Sequence, residues 1–245
     1  MAELALALMG PDGAGKTTLG ELLLGAFFDS GRSCLVVDAS PDQALSRKFL
    51  GEADWANAHA TLAHALAVLA QRSDPPGEWV DVLLADAVHP LNDHVDMIRL
   101  GDLAPDAPIP AHALEALRYG IGRLAKKAYG SVLIDGGHPA VLEGFAKLPL
   151  QAVLVAMPEQ LPAVDGAALP ETPLHPPAVL VNRAKLEEGL PPAAKAWLNT
   201  HERFPLLGKI PDYPSLEARI DGLPVAFRNA LTRLDWPETA LLFPR

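Results

Sequence analysis

The residues with the clearest chemical potential lie near the start of the chain. Gly10 to Thr17 reads G-P-D-G-A-G-K-T, the pattern of a phosphate-binding loop. Such a loop needs a strand before it and a helix after it, and the apolar run Leu4 to Met9 and the Leu/Ala-rich segment Thr18 to Phe28 fit those places. Glycines at positions 10, 13 and 15 let the backbone curl, so that N–H groups converge on phosphate oxygens. The alternative is a Gly-rich turn that caps a core helix. The flanking segments favour the phosphate loop.

Two side chains of this loop have predicted roles in nucleotide binding. Lys16 is expected to reach the β- and γ-phosphates, and the Thr17 hydroxyl is expected to hold Mg²⁺. The start of the following helix adds its positive dipole end. The remaining loop members of the predicted nucleotide site are Gly10, Pro11, Asp12, Gly13, Ala14, Gly15 and Thr18.

Composition limits the partners and the compartment. The 245-residue chain carries a net charge of −10, which argues against sequence-independent DNA binding and against adhesion to anionic membranes. We expect neither a membrane span nor a signal peptide, because Glu3 interrupts the apolar start and no basic region leads it. Cys34 is the sole cysteine, so a disulfide framework and a thiolate metal cage are excluded. We therefore expect a cytoplasmic protein.

The order of apolar runs predicts the fold class. Strand-like runs alternate with helical patterns, which indicates an α/β fold: a three-layer, mostly parallel sheet with helices on both faces. We expect one nucleotide-binding domain over residues 1–245, because strand-like runs resume after each Pro-rich segment. The predicted strands after the first are 33–38, 131–135, 152–156, 178–181 and about 207–210, with 78–85 and 95–100 as possible strands. The predicted helices after the first are 55–71, 111–129, 215–220 and 225–234, and the predicted loops are 101–110 and 158–177.

Three polar side chains each close an apolar run of the predicted sheet. Ligands of such sheets bind beyond the carboxyl ends of the strands. Asp135 follows V-L-I and is the expected second acid on the metal side, holding Mg²⁺ through water opposite Thr17. Asp38 closes the second strand and either faces the same water shell or only caps its strand. Asn182 follows A-V-L-V and either reads a base edge with its amide or is a plain turn residue.

These segments resemble a known family. The layout is similar to the MinD/ParA class of P-loop ATPases, and within it to the branch that includes CooC-type nickel-insertion ATPases. The matching pieces, in family order, are G-P-D-G-A-G-K-T-T-L, V-V-D-A-S-P-D-Q-A-L, V-L-I-D-G-G-H-P, V-L-V-A-M-P-E, V-L-V-N-R and L-G-K-I-P-D-Y-P.

The resemblance implies roles for the strand-end residues. It brings Asp38 and Asp135 to the Mg²⁺ shell and makes Gly136 to Pro139 a switch segment. It turns Asn182 toward adenine and brings the backbone around Pro211 to the border of the base. The segment N-R-A-K after the strand lacks the acid of a guanine-reading motif, so the resemblance favours ATP with Mg²⁺.

The chain departs from this family at positions that matter for hydrolysis. Family loops carry a second lysine that crosses to the partner's nucleotide in a dimer, and Pro11 occupies that position here. Ser40, a poor base, stands where the family has the acid that positions the attacking water. Asp42 is close enough in sequence to be considered as a substitute acid. The C-x-C metal pair is absent from the sequence. His138, in the expected switch segment, is the one histidine that stands close to a predicted site residue.

Three functions follow from these observations. The first is a nucleotide-dependent switch ATPase, a homodimer that couples ATP to the assembly or maturation of a client protein that the sequence does not name. The second is an ATP-binding sensor or scaffold with little hydrolysis, which the substitutions at Pro11 and Ser40 favour. The third is a small-molecule or nucleotide kinase, since the loop is similar to that of thymidylate kinases. The chain lacks the D-R motif and the Arg-rich lid that such kinases usually show, which argues against the kinase hypothesis.

Overall fold

The chain folds around one mostly parallel sheet. The computed structural model describes residues 4–56, 60–104, 107–136, 138, 141–142, 145, 149–166, 169, 177–185, 187–213, 215–231 and 233. The strands are β1 (Leu4–Met9), β2 (Cys34–Asp38), β3 (Val88–Pro90), β4 (Val95–Arg99), β5 (Ser131–Asp135), β6 (Leu150–Ala156), β7 (Ala178–Ala184) and β8 (Leu206–Pro211). The helices are α1 (Lys16–Ser30), α2 (Ala44–Phe49), α3 (Glu52–Ala56), α4 (Leu62–Ala70), α5 (Glu78–Ala85), α6 (Ala111–Ala128), α7 (Pro192–Thr200) and α8 (Leu216–Leu231).

The strand order is β3-β4-β2-β5-β1-β6-β7-β8. β2 pairs in parallel with β4 and with β5, and β7 pairs in parallel with β6 and with β8. The short β3 pairs antiparallel with β4. Strands β2, β5 and β6 are buried at every position, as parallel strands covered by helices must be. The predicted α/β class with a mostly parallel sheet is confirmed.

The internal contacts divide the chain into two compact units. The first comprises Met1–Ala7 and Phe27–Leu150, and the second comprises Leu8–Ala26 and Gln151–Arg245. In the first unit α6 packs against α4 and α5; in the second α8 packs against β8. The assignment of residues 1–245 to a single domain stays a prediction. Among the described residues, no helix is both long enough and apolar enough to cross a membrane.

Three expected elements differ from the structure. The segment 78–85, expected as a possible strand, is the helix α5, because its buried residues Val80 and Leu84 recur at helical spacing. The helix expected over 55–71 is two helices: α3 ends at Ala56, and α4 begins at Leu62 with Thr61 as its side-chain cap. The two short helices expected after residue 215 are one helix, α8, that continues through Pro224.

Gln43 links two loops at the carboxyl edge of the first unit. Its amide Nε2 donates to the Gly101 carbonyl oxygen at 3.1 Å, and its Oε1 accepts from the Gly101 N–H at 3.0 Å. The side-chain amide of Gln43 thus bonds both backbone groups of Gly101, as the backbone of a neighbouring strand would. Gln43 is buried and holds a left-handed φ of 49°. The segment after β2 is therefore tied to the segment after β4.

We predict that Gln43→Ala lowers the free energy of unfolding by about 2 kcal/mol, because the buried Gly101 N–H loses its acceptor and the Gly101 carbonyl oxygen keeps only its bond from the Leu103 N–H. Urea denaturation measures this. Gln71→Ala, at an exposed position after α4, is the matched control and is expected to change stability by less than about 0.5 kcal/mol. Equal effects of the two substitutions would contradict the bridging role of Gln43.

Candidate nucleotide-binding site

The loop between β1 and α1 adopts a conformation that depends on its glycines. Gly10, Gly13 and Gly15 have φ values of 138°, 73° and 93°, a region that L side chains rarely adopt. A Cβ atom on Gly10 would lie 2.0 Å from the Val155 carbonyl oxygen, and one on Gly15 would lie 2.5 Å from Nδ2 of Asn182. Two of the three glycines are therefore needed for close approach as well as for their backbone angles.

Lys16 is the first residue of α1 and folds back over the loop. Its ammonium group donates to the carbonyl oxygens of Gly10 and Pro11, each at 2.8 Å. The first N–H groups of any α-helix have no acceptor within the helix, and they stand at its positive end. Thr17 and Thr18, the next two residues of α1, are half-buried. The loop thus combines a cation with helix N–H groups, which is the donor set that a phosphate anion requires.

Gln160 braces the tip of the loop. Its Nε2 donates to the Asp12 carbonyl oxygen at 2.9 Å, and its Oε1 accepts from the Met157 N–H at 3.0 Å. The segment after β6 is thereby bonded to the phosphate loop. Sequence reasoning missed this residue, because a glutamine 148 positions away carries no motif that marks such a contact.

Asn182, two residues before the end of β7, also holds the loop. Its Nδ2 donates to the Ala14 carbonyl oxygen at 2.6 Å, and its Oδ1 accepts from the Arg183 N–H at 3.0 Å. The residue is 6% exposed. The sequence predicted that this asparagine either contacts a base edge or is a plain turn residue. The structure shows a third role, which is support of the phosphate loop. Base reading by Asn182 stays a prediction.

A cleft of about 190 Å³ opens beside the loop. The start of α1 forms one wall through Gly15 and Thr18, and the ends of β7 and β8 form the other. Pro211, expected from the family resemblance to border a base, lines this cleft together with Tyr213. Sequence reasoning did not single out Tyr213. The cleft therefore adjoins the phosphate loop, and the binding of a base in it stays a prediction.

In the first unit, Asp38 caps the helix that follows it. Its Oδ1 accepts from the Ser40 hydroxyl at 2.5 Å, and its Oδ2 accepts from the Ser46 N–H at 2.7 Å, in the first turn of α2. Burial raises the pKa of Asp38, and the hydrogen bonds from Ser40 and Ser46 oppose that rise. The Asp38 carboxylate thus bonds the first turn of α2, a role that the sequence did not predict. A contribution of Asp38 to Mg²⁺ binding stays a prediction.

Ser40 is hydrogen-bonded to the Asp38 side chain. It is 3% exposed, and its hydroxyl and its N–H both donate to the same carboxylate oxygen. Asp42, considered as a substitute acid, is exposed, and its carbonyl oxygen accepts from Nε of Arg47 at 2.9 Å. The serine at the position of the family's water-orienting acid thus serves the local structure in this unit.

Asp135 ends β5 opposite Asp38 in the parallel register and is fully buried. The next residue, Gly136, has a φ of 98°, and a Cβ atom there would lie 2.8 Å from the Ser40 nitrogen. His138 is 7% exposed, with Nε2 3.3 Å from the Ala104 carbonyl oxygen. Residues 137 and 139 of the expected switch segment lie outside the described residues. The magnesium role of Asp135 stays a prediction.

The donor set of the loop fits a magnesium nucleotide. The described residues hold no cluster of three or more His, Cys, Asp or Glu side chains that could bind a metal on their own. Mg²⁺ does not need one, since it is commonly held by one or two protein oxygens, water and the phosphates of its substrate. A threonine hydroxyl at the start of α1, beside a cradle for phosphates, suits that mode of binding.

Comparison with solved structures supports this interpretation of the fold. MinD from Pyrococcus horikoshii OT3, complexed with Mg-ADP, is 21% identical with a TM-score of 0.52, over 100% of each chain. A putative plasmid partition protein from Borrelia burgdorferi B31, bound to AMPPNP, is 16% identical with a TM-score of 0.63, over 95% of this chain and 98% of that one. Cobyrinic acid a,c-diamide synthase from Mycobacterium smegmatis, with ADP and magnesium, is 17% identical with a TM-score of 0.60, over 93% and 91%.

The chain therefore has the fold of the MinD/ParA-type P-loop ATPases, as the motifs predicted. No protein-family model and no curated protein matches it significantly. The three structures named above differ in their cellular tasks although their fold is shared. The fold alone therefore does not define a task for this chain, which depends on the residues of the site.

We predict that Gly10→Ala is far more harmful than Gly13→Ala. The new methyl group at position 10 would overlap the Val155 carbonyl oxygen, whereas a Cβ atom on Gly13 has nothing within 4 Å. Gly13→Ala is expected to cost about 1 kcal/mol of stability, from its positive φ alone. Gly10→Ala is expected to cost more than about 3 kcal/mol or to displace the loop. Chemical denaturation of both variants checks this, and similar losses would show that the contact at Gly10 is unimportant.

Proposed function

We propose that this protein is an ATP- and Mg²⁺-binding P-loop ATPase of the MinD/ParA type. In this proposal it acts as a nucleotide-dependent dimer switch on a client protein, in assembly or maturation. The observation that carries the proposal is the loop Gly10 to Thr17: three glycines with positive φ, a lysine folded over the curl and a helix that begins at that lysine.

In the proposed complex, Lys16 leaves the carbonyl oxygens of Gly10 and Pro11 and pairs with the β- and γ-phosphates. Both acceptors are neutral, so exchange for an anionic phosphate strengthens the bonds that the ammonium group makes. The N–H groups of the loop hold the remaining phosphate oxygens. The Thr17 hydroxyl supplies a protein ligand for Mg²⁺, and Asp38 and Asp135 are the carboxylates proposed for its water shell.

Adenine is the proposed base. The cleft beside the loop is bordered by Pro211 and Asn182, the two residues that the family resemblance assigns to the adenine. The solved structures with this fold include complexes of Mg-ADP and of AMPPNP, which are adenine nucleotides. These observations support ATP as the ligand of this chain as well.

A second candidate is an ATP sensor with little hydrolysis. It is favoured by Ser40, whose hydroxyl is bonded to Asp38 and is buried, so that it is poorly placed to orient water. It is also favoured by Pro11, which cannot donate a charge across a dimer. Both candidates share the nucleotide site and differ in turnover and in assembly.

We predict that Lys16→Ala weakens ATP binding by more than about a hundredfold, because at least two charge-assisted hydrogen bonds are lost. Isothermal titration calorimetry with Mg²⁺ and ATP measures this. Lys209→Ala removes an equal charge from an exposed position on β8 and is expected to leave the affinity unchanged. If the Lys16→Ala variant keeps its full affinity for ATP, the nucleotide does not bind at this loop.

The switch function is tested by mass and by phosphate release. Light scattering of the wild-type chain with Mg²⁺ and AMPPNP is expected to give twice the monomer mass, and ADP is expected to return it to the monomer. Phosphate release is expected to exceed the buffer rate. A chain that binds ATP but neither dimerises nor hydrolyses it is the sensor. Turnover only when a nucleoside or nucleotide acceptor is added identifies a kinase and refutes the switch.

A further inference from the structure

Gln160 fixes the orientation of one peptide group in the phosphate loop. Its Nε2 donates to the Asp12 carbonyl oxygen, and its Oε1 accepts from the Met157 N–H. The carbonyl can only accept and the N–H can only donate, so these two partners fix the orientation of the side-chain amide as well. A trans peptide directs its C=O and the N–H of the next residue in opposite directions. The bond from Gln160 therefore turns the Gly13 N–H away from Gln160.

The Gly13 N–H has no acceptor among the described residues. Within that part of the chain it donates to no carbonyl oxygen and to no side chain, and the same holds for the Gly15 N–H. The Gly15 N–H is oriented in the same manner, because Asn182 bonds the carbonyl oxygen of Ala14. Two N–H groups of the loop thus depend for their orientation on side chains that are distant in sequence.

The peptide between Asp12 and Gly13 is the less restrained of the two. A Cβ atom on Gly13 would have nothing within 4 Å, whereas one on Gly15 would overlap the Asn182 amide. Glycine adopts positive and negative φ about equally, and the φ of 73° at Gly13 is one of these options. Asp12 is exposed, and the bond from Gln160 is the one that the described residues give to its carbonyl oxygen. Without this bond, the C=O and the N–H of the peptide can exchange directions.

Such a rotation opposes the binding of an anion. An N–H group attracts a phosphate oxygen, whereas a carbonyl oxygen turned to the same place carries partial negative charge and repels it. In the proposed complex Lys16 leaves its carbonyl partners in the loop for the phosphates. The bond from Gln160 involves no phosphate ligand, so it persists in the complex and keeps the peptide oriented there.

We propose that Gln160 is a positioning residue of the phosphate site. It holds the peptide between Asp12 and Gly13 in the orientation that presents the Gly13 N–H to the phosphates. This inference rests on the proposed nucleotide site. It assigns a role in anion binding to a side chain 148 positions away from the loop, outside the phosphate-loop motif.

The test compares two substitutions of Gln160 by calorimetry with Mg²⁺, using ATP and also tripolyphosphate, which lacks the base and the sugar. Gln160→Met removes both hydrogen bonds and frees the peptide to adopt either orientation. Since affinity falls with the populated fraction of the competent state, we expect both ligands to bind about threefold to fivefold more weakly.

Gln160→Glu is expected to be more harmful than Gln160→Met. It keeps an acceptor for the Met157 N–H, but it places a carboxylate oxygen against the Asp12 carbonyl oxygen. The carboxylate favours the rotated peptide, from which it accepts the Gly13 N–H in a charge-assisted bond. We expect both ligands to bind at least about tenfold more weakly than to the wild type.

The double variant Glu159→Gln/Gln160→Glu controls for charge, because a new carboxylate also repels a triphosphate directly. It moves one carboxylate by a single residue and keeps the net charge of the wild type. We expect it to bind both ligands more weakly than Gln160→Met does. A purely structural role of Gln160 gives the reverse order, because the double variant retains the bond to the Met157 N–H and Gln160→Met does not.

The amide proton resonance of Gly13 in the ligand-free chain tests the peptide orientation without a nucleotide. In Gln160→Glu we expect that resonance to move downfield, as the proton bonds the carboxylate. An unchanged resonance would overturn the positioning role, and so would tighter binding by the double variant than by Gln160→Met. Both results leave the nucleotide site intact. Failure of the wild-type chain to bind ATP and tripolyphosphate would instead refute the proposed function, and the positioning role with it.

Discussion

The candidate site depends on how closely the backbone of the loop after β1 approaches its neighbours. Gly10 is pressed against a carbonyl oxygen of β6, and Gly15 against the side-chain amide of Asn182. Any other residue type would push these segments apart. The same absence of side chains leaves the loop N–H groups open to an anion. Binding capacity and packing thus impose the same requirement on these two positions.

Several polar residues at strand ends hold backbone in place. Asn182 and Gln160 bond carbonyl oxygens of the phosphate loop, at Ala14 and Asp12. In the first unit, Asp38 bonds the N–H of Ser46 at the start of α2. Preorganised loops of this kind do not have to be ordered when a ligand arrives, so less of the binding energy is spent on ordering them. A short polar side chain after an apolar strand is therefore as valuable for support as for contact with a ligand.

The sequence predicted the elements whose signal is local, and it failed where the signal is spread along the chain. The phosphate loop and the buried strand β5 carry their pattern in a few consecutive residues, and both are confirmed as elements. Residues 78–85 were expected as a possible strand, because a short apolar run does not distinguish a strand from a helix. In the structure they form a helix, and the two buried residues, Val80 and Leu84, lie on one face of it. The contacts of Gln160 and Gln43 join residues 148 and 58 positions apart, and no spacing rule describes such pairs.

The position of Cys34 has a practical consequence for following this protein in solution. It is the sole cysteine of the chain, and its thiol is fully buried in β2. A fully buried thiol is out of reach of reagents in solution. A cysteine introduced at an exposed site would consequently be the preferred target of a maleimide dye, with the native residue retained. The wild-type background is thus already suited to fluorescent labelling, and no core substitution has to be tolerated first.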